Sequence, residues 1–121
     1  MQIKCLIIDD EPLAIKVIEK YIDEVDELEC VGKCENAMDA LKMLQEKQVD
    51  LIFLDINMPK LTGMELLQTL KDPPLVVITT AYREYAVESY DYDVVDYLVK
   101  PIEFPRFFRM VQKVMDRLKI P

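Results

Sequence analysis

The sequence predicts an α/β domain in which five helices cover both faces of a doubly wound, five-stranded parallel sheet. Five short apolar runs, rich in β-branched residues, alternate along the chain with segments of helical periodicity. The run at 51–54 is apolar at every position, which is typical of a strand buried on both faces. Right-handed crossovers would then bring every strand-to-helix turn to the same edge of the sheet.

The individual elements follow from this periodicity and from residues that start or stop helices. The predicted strands are 3–8, 28–35, 49–55, 75–80 and 94–100, and the predicted helices are 12–25, one after residue 36, 63–70, one around 85–90, and 105–118. Pro12 suits the first turn of its helix, because its missing N–H costs nothing there. Asn36 can cap the second helix together with Asp39, three residues further on.

Two of the helices carry apolar stripes that we expect to face the sheet. In the first helix the stripe consists of Ala14, Val17, Ile18, Tyr21 and Val25. In the last helix it consists of Phe107, Phe108, Val111, Val114, Met115 and Leu118.

The composition describes one globular domain that binds neither nucleic acid nor a membrane. Its 121 residues fit a single unit, 1–121, and 51% hydrophobic content is typical of a folded rather than a disordered chain. The net charge of -8 argues against direct binding to a phosphate backbone, because such binding needs clustered Lys and Arg. No apolar run approaches membrane-spanning length and no signal-peptide pattern is present, so we expect the protein in the cytoplasm.

The residue types also exclude some kinds of site. The sequence contains no His, so neither His-based acid and base catalysis nor a His-ligated metal is available. Cys5, Cys30 and Cys34 form an odd set without a CxxC motif. We interpret them as small apolar core residues in a reducing compartment.

Side chains capable of chemistry stand at the ends of four predicted strands. They are Asp9 and Asp10 after the first strand, Asp55 on the third, Thr80 on the fourth and Lys100 on the fifth. Three carboxylates at one edge repel one another, and oxygen ligands without His or Cys favour Mg²⁺. With Lys100 and Thr80 as donors, the group predicts a phosphoryl pocket in which Asp55 is the nucleophile. Each residue alone also has a structural explanation, such as a helix cap for Asp10.

Four segments carry a resemblance to a known family. In chain order, these are IIDDEP after the first strand, LIFLDINMPKLTG around the third, VVITTAY at the fourth and VDYLVKPI at the fifth. With them, the chain resembles the receiver domain of bacterial two-component response regulators over essentially its full length. The run YAVESYDYDVVDYLVKPIEFPRFFRMVQKV is similar to LytTR-type (LytR/AlgR-like) regulators, in which a receiver precedes a DNA-binding domain. The resemblance implies a flavodoxin-like sheet with strand order 2-1-3-4-5.

The resemblance also implies roles for the acids. Asp55 would accept a phosphoryl group from the phosphohistidine of a sensor histidine kinase. Asp10, Asp55 and the backbone carbonyl of Asn57 would bind Mg²⁺, and Asp9 would act through water. The domain would be a regulatory phosphoacceptor that catalyses only its own phosphorylation and dephosphorylation.

Further implications concern the switch between two conformations. Lys100 would contact the phosphoryl oxygens, and its peptide bond to Pro101 would be cis. Thr80 would shift to hydrogen-bond the phosphoryl group, and Tyr97 would turn into the vacated space. The face formed by the fourth helix, the fifth strand and the last helix would then transmit the change, to a second copy if the domain forms a homodimer. A half-buried strand tyrosine is the ordinary alternative for Tyr97.

Two departures and several alternatives stay open at this point. Residues 90–95, YDYDVV, lack the Gly-Ala often found before the fifth strand, so we expect an irregular fourth helix. We hypothesise that Tyr82, two residues past Thr80, hinders attacking water. A Mg²⁺-dependent aspartyl-phosphate phosphatase and a receiver that binds partners without phosphorylation are the competing functions, although Asn57 replaces the second acid of such phosphatases. The chain is either a stand-alone receiver or a fragment of a longer regulator.

Overall fold

The computed structural model describes residues 2–82 and 93–119 and contains a five-stranded parallel sheet in the order β2-β1-β3-β4-β5. The described elements are β1 (Ile3–Ile8), α1 (Pro12–Asp23), β2 (Leu28–Cys34), α2 (Ala37–Glu46), β3 (Leu51–Asp55), α3 (Gly63–Thr69), β4 (Leu75–Thr80), β5 (Asp96–Val99) and α4 (Phe104–Leu118). This confirms the predicted fold class and strand order. The predicted helix around 85–90 lies outside the described residues.

Alternation along the three inner strands divides the core into two layers. On one face, Phe53 of β3 stacks on Phe107 of α4 with ring centroids 5.7 Å apart, among side chains from α1. On the other face, Leu54 packs with Ala40 of α2 and Leu66 of α3. All five residues of β3 are buried, as expected of a central parallel strand. Asp55, which ends this strand, is therefore held within the packed centre of the sheet.

The buried stripe of α1 differs from the predicted one by about one residue. Ile15, Ile18 and Ile22 face the sheet, whereas Val17 is exposed. The helix is apolar over more than one face, so periodicity alone could not select the buried stripe. The helix also ends at Asp23 rather than at residue 25, because the N–H groups of 24 and 25 bond three residues back in a tightened last turn.

The inner face of α4 was predicted only in part. Phe107, Val111 and Val114 are buried as expected, and Met110 joins them. Two of the predicted inner residues, Phe108 and Leu118, are exposed. Phe108 lies to the side of the stripe formed by the buried residues, whereas Leu118 is in line with it but is the last residue of the helix.

At one edge of the sheet, β5 is held by a charged network. The buried Asp96 carboxylate accepts two hydrogen bonds from Arg106 of α4, at 2.7 and 2.8 Å, and lies 3.3 Å from the Lys113 ammonium. Asp96 Oδ1 also accepts the N–H of Tyr97, and Arg106 Nη2 donates to the Tyr97 carbonyl. The peptide groups of Tyr97 are thereby satisfied on an edge strand, and β5 is joined to α4.

At the other edge, β2 contains an irregularity that a lysine stabilises. Cys5 pairs with Cys30 but Leu6 pairs with Gly32, which leaves Val31 as an extra residue. The carbonyl of Val31 accepts a hydrogen bond from Lys47 Nζ at 2.8 Å.

Within 2–82 and 93–119, the helices lack the length and hydropathy that a membrane span requires.

Replacing Asp96 by Asn tests the network at the β5 edge. Burial by itself raises the pKa of Asp96, but the hydrogen bonds from Arg106 and from the Tyr97 N–H outweigh it and hold the pKa below its usual range. We expect Asp96→Asn to lower the free energy of unfolding by about 1–3 kcal/mol at pH 7, as measured by urea denaturation. Asp93→Asn is the control, because the Asp93 pair with Arg117 is exposed.

The pH dependence of this difference follows from the lowered pKa. The contribution of Asp96 is present above its unfolded-state pKa of about 3.9 and is lost as the pH falls through the lower folded-state value. The difference in free energy of unfolding between the unaltered protein and Asp96→Asn should therefore be the same at pH 5 and pH 7. Below about pH 3.9 this difference should disappear. A gap that widens on acidification would contradict this assignment.

Candidate functional site

The fold brings the predicted site residues to the carboxyl edge of the sheet. Asp9 follows β1, Asp55 ends β3, Thr80 ends β4 and Lys100 follows β5. A cleft of about 500 Å³ opens at this edge. It is lined by Asp10, Glu11, Asp55, Asn57, Ala81, Tyr82 and Lys100. Crevices outside the carboxyl ends of parallel strands are where open α/β sheets bind ligands.

Lys100 forms ion pairs with three acids in this cleft. Its ammonium lies 2.9 Å from Asp9 Oδ2, 2.6 Å from Glu11 Oε1 and 3.6 Å from Asp55 Oδ2. The peptide bond from Lys100 to Pro101 is cis, as the family resemblance implied. The following loop is tied to α1, because the Tyr21 hydroxyl donates to the Ile102 carbonyl at 2.9 Å.

The two innermost acids are fixed by the backbone around them. Asp9 is fully buried, and its Oδ1 accepts the N–H of Glu11 at 2.9 Å. Asp55 is 2% exposed, and its Oδ1 accepts the N–H of Asn57 at 3.0 Å. Each carboxylate therefore turns one oxygen to its own loop and the other towards Lys100.

The start of α3 closes the loop that follows Asp55. Thr62 and Glu65 form a reciprocal capping box at the helix N-terminus. The Gly63 N–H donates to the Ile56 carbonyl at 3.3 Å. A Cβ at position 63 would overlap the carbonyl oxygen of Asp55, so only glycine allows this close approach.

The surroundings of the cleft raise the pKa values of Asp55 and Lys100. Burial, the largest cause, raises the pKa of Asp55 to about 7, and the Asp9 charge adds to the rise. The Asn57 N–H and Lys100 act in the opposite direction but do not cancel it. Burial by itself lowers the pKa of Lys100, yet its hydrogen bond to Glu11 and its close ion pair with Asp9 outweigh this and raise it above its usual value. Lys100 is therefore charged, and a further cation in the cleft would lower the pKa of Asp55.

The donor set of the cleft fits a hard divalent cation. Carboxylate oxygens of Asp9, Glu11 and Asp55 lie within 4.8 Å of one another. The buried Asp9 Oδ2 accepts no well-directed hydrogen bond from the described residues, although the Lys100 ammonium lies close to it. Mg²⁺ typically binds one or two carboxylates and keeps several waters, for which the open cleft has room.

The structure adds Glu11 to the acids that the sequence placed at this edge. Asp10 lines the cleft and contributes to the raised pKa of Asp55, and the closest carboxylate cluster among the described residues consists of Asp9, Glu11 and Asp55. Glu11 was not predicted as a site residue, although the segment IIDDEP placed three acids in the same loop. Asn57 lines the cleft, and the proposed use of its carbonyl stays a prediction.

The two predicted switch residues share one face of the sheet. Thr80 is two residues past Ile78, which pairs with Tyr97 in the register of β4 and β5. The Thr80 hydroxyl accepts the Tyr82 N–H at 3.0 Å and lies 3.2 Å from the Tyr82 carbonyl, to which it donates. Thr80 is fully buried and does not line the cleft. Tyr97 is half-buried against the core layer that contains Ile78.

The raised pKa of Asp55 predicts that this residue reduces stability in the absence of metal. An acid whose pKa is higher in the folded state costs stability above its unfolded-state pKa, and the cost grows until the pH passes the folded value. We expect Asp55→Asn to raise the free energy of unfolding by about 1–3 kcal/mol at pH 8 in EDTA, and by less at pH 5. Urea denaturation measures both, with the exposed Asp72→Asn as control. If Asp55→Asn raised the free energy of unfolding equally at the two pH values, the cost of burying a charged Asp55 could not be the cause.

Comparisons with known proteins agree with this geometry. A family model described as the response regulator receiver domain matches residues 5–112. Transcriptional regulatory protein BtsR of Salmonella typhi is 40% identical over 120 residues, which cover 97% of this chain and 48% of that protein. The chain thus spans about half the length of the curated relatives it matches.

Solved structures give the same result. The response regulatory domain of protein mrkE from Klebsiella pneumoniae superposes with a TM-score of 0.87 at 36% identity, over 98% of this chain and 100% of that one. Response regulator protein TrrA from Thermotoga maritima, solved in complex with Mg(2+)-BeF, has a TM-score of 0.79 at 28% identity, over 94% and 99% of the two chains. With the family match over most of its length and this arrangement of acids and lysine, the chain belongs to the response regulator receiver domains.

Proposed function

We propose that this receiver domain accepts a phosphoryl group on Asp55 from the phosphohistidine of a sensor histidine kinase and thereby changes conformation. The observation that carries the proposal is the Asp55 carboxylate, which ends the buried central strand, lines the cleft and lies 3.6 Å from the Lys100 ammonium. A nucleophile, a cation and an open approach for a donor are thus found in one place.

The proposed transfer needs few groups. An Asp55 carboxylate oxygen attacks phosphorus, the bond from phosphorus to the imidazole nitrogen breaks, and the electron pair stays on the imidazole. Mg²⁺ would neutralise charge on the phosphoryl oxygens, and Asp10, Asp55 and the Asn57 carbonyl would hold it, with Asp9 acting through water. Lys100 would donate to a phosphoryl oxygen. Beyond its own phosphorylation and dephosphorylation, we propose no enzymatic activity.

The proposed switch depends on the hydroxyl of Thr80. In the structure this hydroxyl is engaged with the backbone of Tyr82. A phosphoryl group on Asp55 would offer a charged acceptor, which favours a conformer in which Thr80 turns towards the site. Tyr97 would then turn into the space that Thr80 leaves, since the two lie on the same face of β4 and β5. Contacts present in only one conformer shift the population.

The proposed output lies outside this chain. The relatives are about twice as long as the segment they share with it, and BtsR is named a transcriptional regulatory protein. We propose that a C-terminal LytTR-type DNA-binding domain is controlled by this receiver in the cytoplasm, with no nucleic acid contact by the receiver itself. The face formed by β5 and α4 would transmit the change, with homodimer formation in the longer protein as one route. A stand-alone receiver that acts by protein interaction is the alternative.

Phosphorylation by a small-molecule donor tests the central step. We expect intact-mass measurements to show one phosphoryl group after incubation with acetyl phosphate and Mg²⁺, and none in EDTA. Asp55→Asn should reduce incorporation to background, because the amide is not a nucleophile. Asp72→Asn, an exposed acid outside the cleft, is the control and should be phosphorylated as the unaltered protein is. Persisting incorporation in Asp55→Asn would refute the proposal.

Dephosphorylation tests the role of Tyr82, whose side chain is half exposed and lines the cleft. We expect Tyr82→Ala to lose phosphate roughly twofold to tenfold faster, because water reaches the phosphoryl group more easily. Tyr82→Phe keeps the ring and should retain the original rate. The hydrogen bonds of Thr80 to residue 82 involve only its backbone, so they remain possible in both variants. An unchanged or slower rate in Tyr82→Ala would discard the hypothesis.

A further inference from the structure

Glu11 makes the shortest contact with Lys100 in the cleft. Its Oε1 lies 2.6 Å from the ammonium, against 2.9 Å for Asp9 Oδ2 and 3.6 Å for Asp55 Oδ2. The Lys100 ammonium is therefore drawn to the outer acid and stands beyond hydrogen-bond distance of Asp55.

The acids around Lys100 differ in their freedom to move. Asp9 is fully buried and Asp55 nearly so, and each has an oxygen fixed by a backbone N–H. The Glu11 side chain is 60% exposed. The closest partner of Lys100 is thus the acid that can leave most easily.

The position of Glu11 in the chain supports the same interpretation. Glu11 is the N-cap residue of α1, where a polar side chain usually accepts a hydrogen bond from the first helical turn. Its side chain makes no such bond and reaches Lys100, 89 residues away in the sequence. The carboxylate therefore serves the cleft rather than the helix.

A phosphoryl group on Asp55 would compete with this contact. The phosphoryl group adds negative oxygens at Asp55, which is 3.6 Å from the Lys100 ammonium. The ammonium must move towards these oxygens to donate a hydrogen bond. The charge of Glu11 opposes that movement by attracting Lys100, and it also repels the incoming anion.

We propose that Glu11 is an internal competitor for Lys100. Glu11 holds the Lys100 ammonium in the unphosphorylated domain and releases it when Asp55 carries a phosphoryl group. The inference rests on the proposed function, because it assumes that Lys100 binds the phosphoryl oxygens. It assigns Glu11 a positioning role that regulates how readily the phosphorylated state forms.

A role as metal ligand is the alternative for Glu11, since its carboxylate belongs to the close cluster with Asp9 and Asp55. The two roles predict opposite results. Removing a competitor strengthens binding of a phosphoryl mimic, whereas removing a ligand weakens Mg²⁺ binding by tenfold or more and the mimic with it.

The experiment compares Glu11→Gln with the unaltered domain by isothermal titration calorimetry. Mg²⁺ is titrated alone, and beryllium fluoride is then titrated at saturating Mg²⁺. We expect beryllium fluoride to bind Glu11→Gln roughly twofold to fivefold more tightly, which is the size of a partly exposed ion pair. Damage to the fold could not produce a gain in affinity. Glu19→Gln is the matched control, because Glu19 lies on α1 and pairs with Lys33 of β2 outside the cleft. This variant should leave both binding constants unchanged.

Three results would overturn the inference. Beryllium fluoride binding that is unchanged or weaker in Glu11→Gln would show that Glu11 does not compete. A loss of tenfold or more in Mg²⁺ affinity would show that Glu11 is a metal ligand. No beryllium fluoride binding by the unaltered domain would overturn the proposed function together with this inference, so the two failures can be told apart.

Discussion

Among the described residues, the ammonium group of Lys100 compensates several carboxylates at the carboxyl edge of this sheet, and the geometry of the cleft depends on that balance. Two of the acids, Asp9 and Asp55, are almost completely removed from water, where like charges repel strongly and ionisation is costly. Lys100 contacts both. The compensation is incomplete, because the pKa of Asp55 is still raised to about 7. The domain keeps an unfavourable charge arrangement where it is expected to act, as functional sites often do.

Rigid and movable parts meet at this edge. The inner acids end strands that are buried on both faces, and the loop after Asp55 is closed by the cap of α3 and by Gly63. Glu11 belongs to the rim, where its side chain is 60% exposed, and Lys100 lies between Glu11 and the inner acids. A phosphoryl group would thus find a fixed acceptor among partners that can rearrange, which suits a site with two states.

The parts of this structure that could be predicted depend on local signals. Apolar runs that end on acids, hydroxyls or lysine specified both the strands and the edge where Asp9, Asp55 and Lys100 meet. The residues that could not be predicted depend on choices between equivalent patterns. Nothing in the helical periodicity distinguishes Val17 from Ile15 on α1, because both belong to apolar stripes and only packing selects one.

The choice of Glu11 over Asp10 beside Lys100 is of the same kind. The loop after β1 offers consecutive acids, and backbone direction decides which side chain reaches a residue from the far end of the chain. The local sequence carries no information on that direction. By contrast, the capping box at Thr62 and the cap at Asn36 form between near neighbours, where sequence is sufficient.

The two outer strands limit how this domain can be recognised. A free strand edge is a template on which an extended peptide or another sheet can add by main-chain pairing. On β5 the carbonyl of Tyr97 is engaged by Arg106, and on β2 the carbonyl of Val31 is engaged by Lys47 at a bulge. One main-chain carbonyl on each outer strand is thus already engaged by a cationic side chain. Partners are therefore expected to recognise helices and loops by their side chains, which leaves the central strands undisturbed while the surface changes.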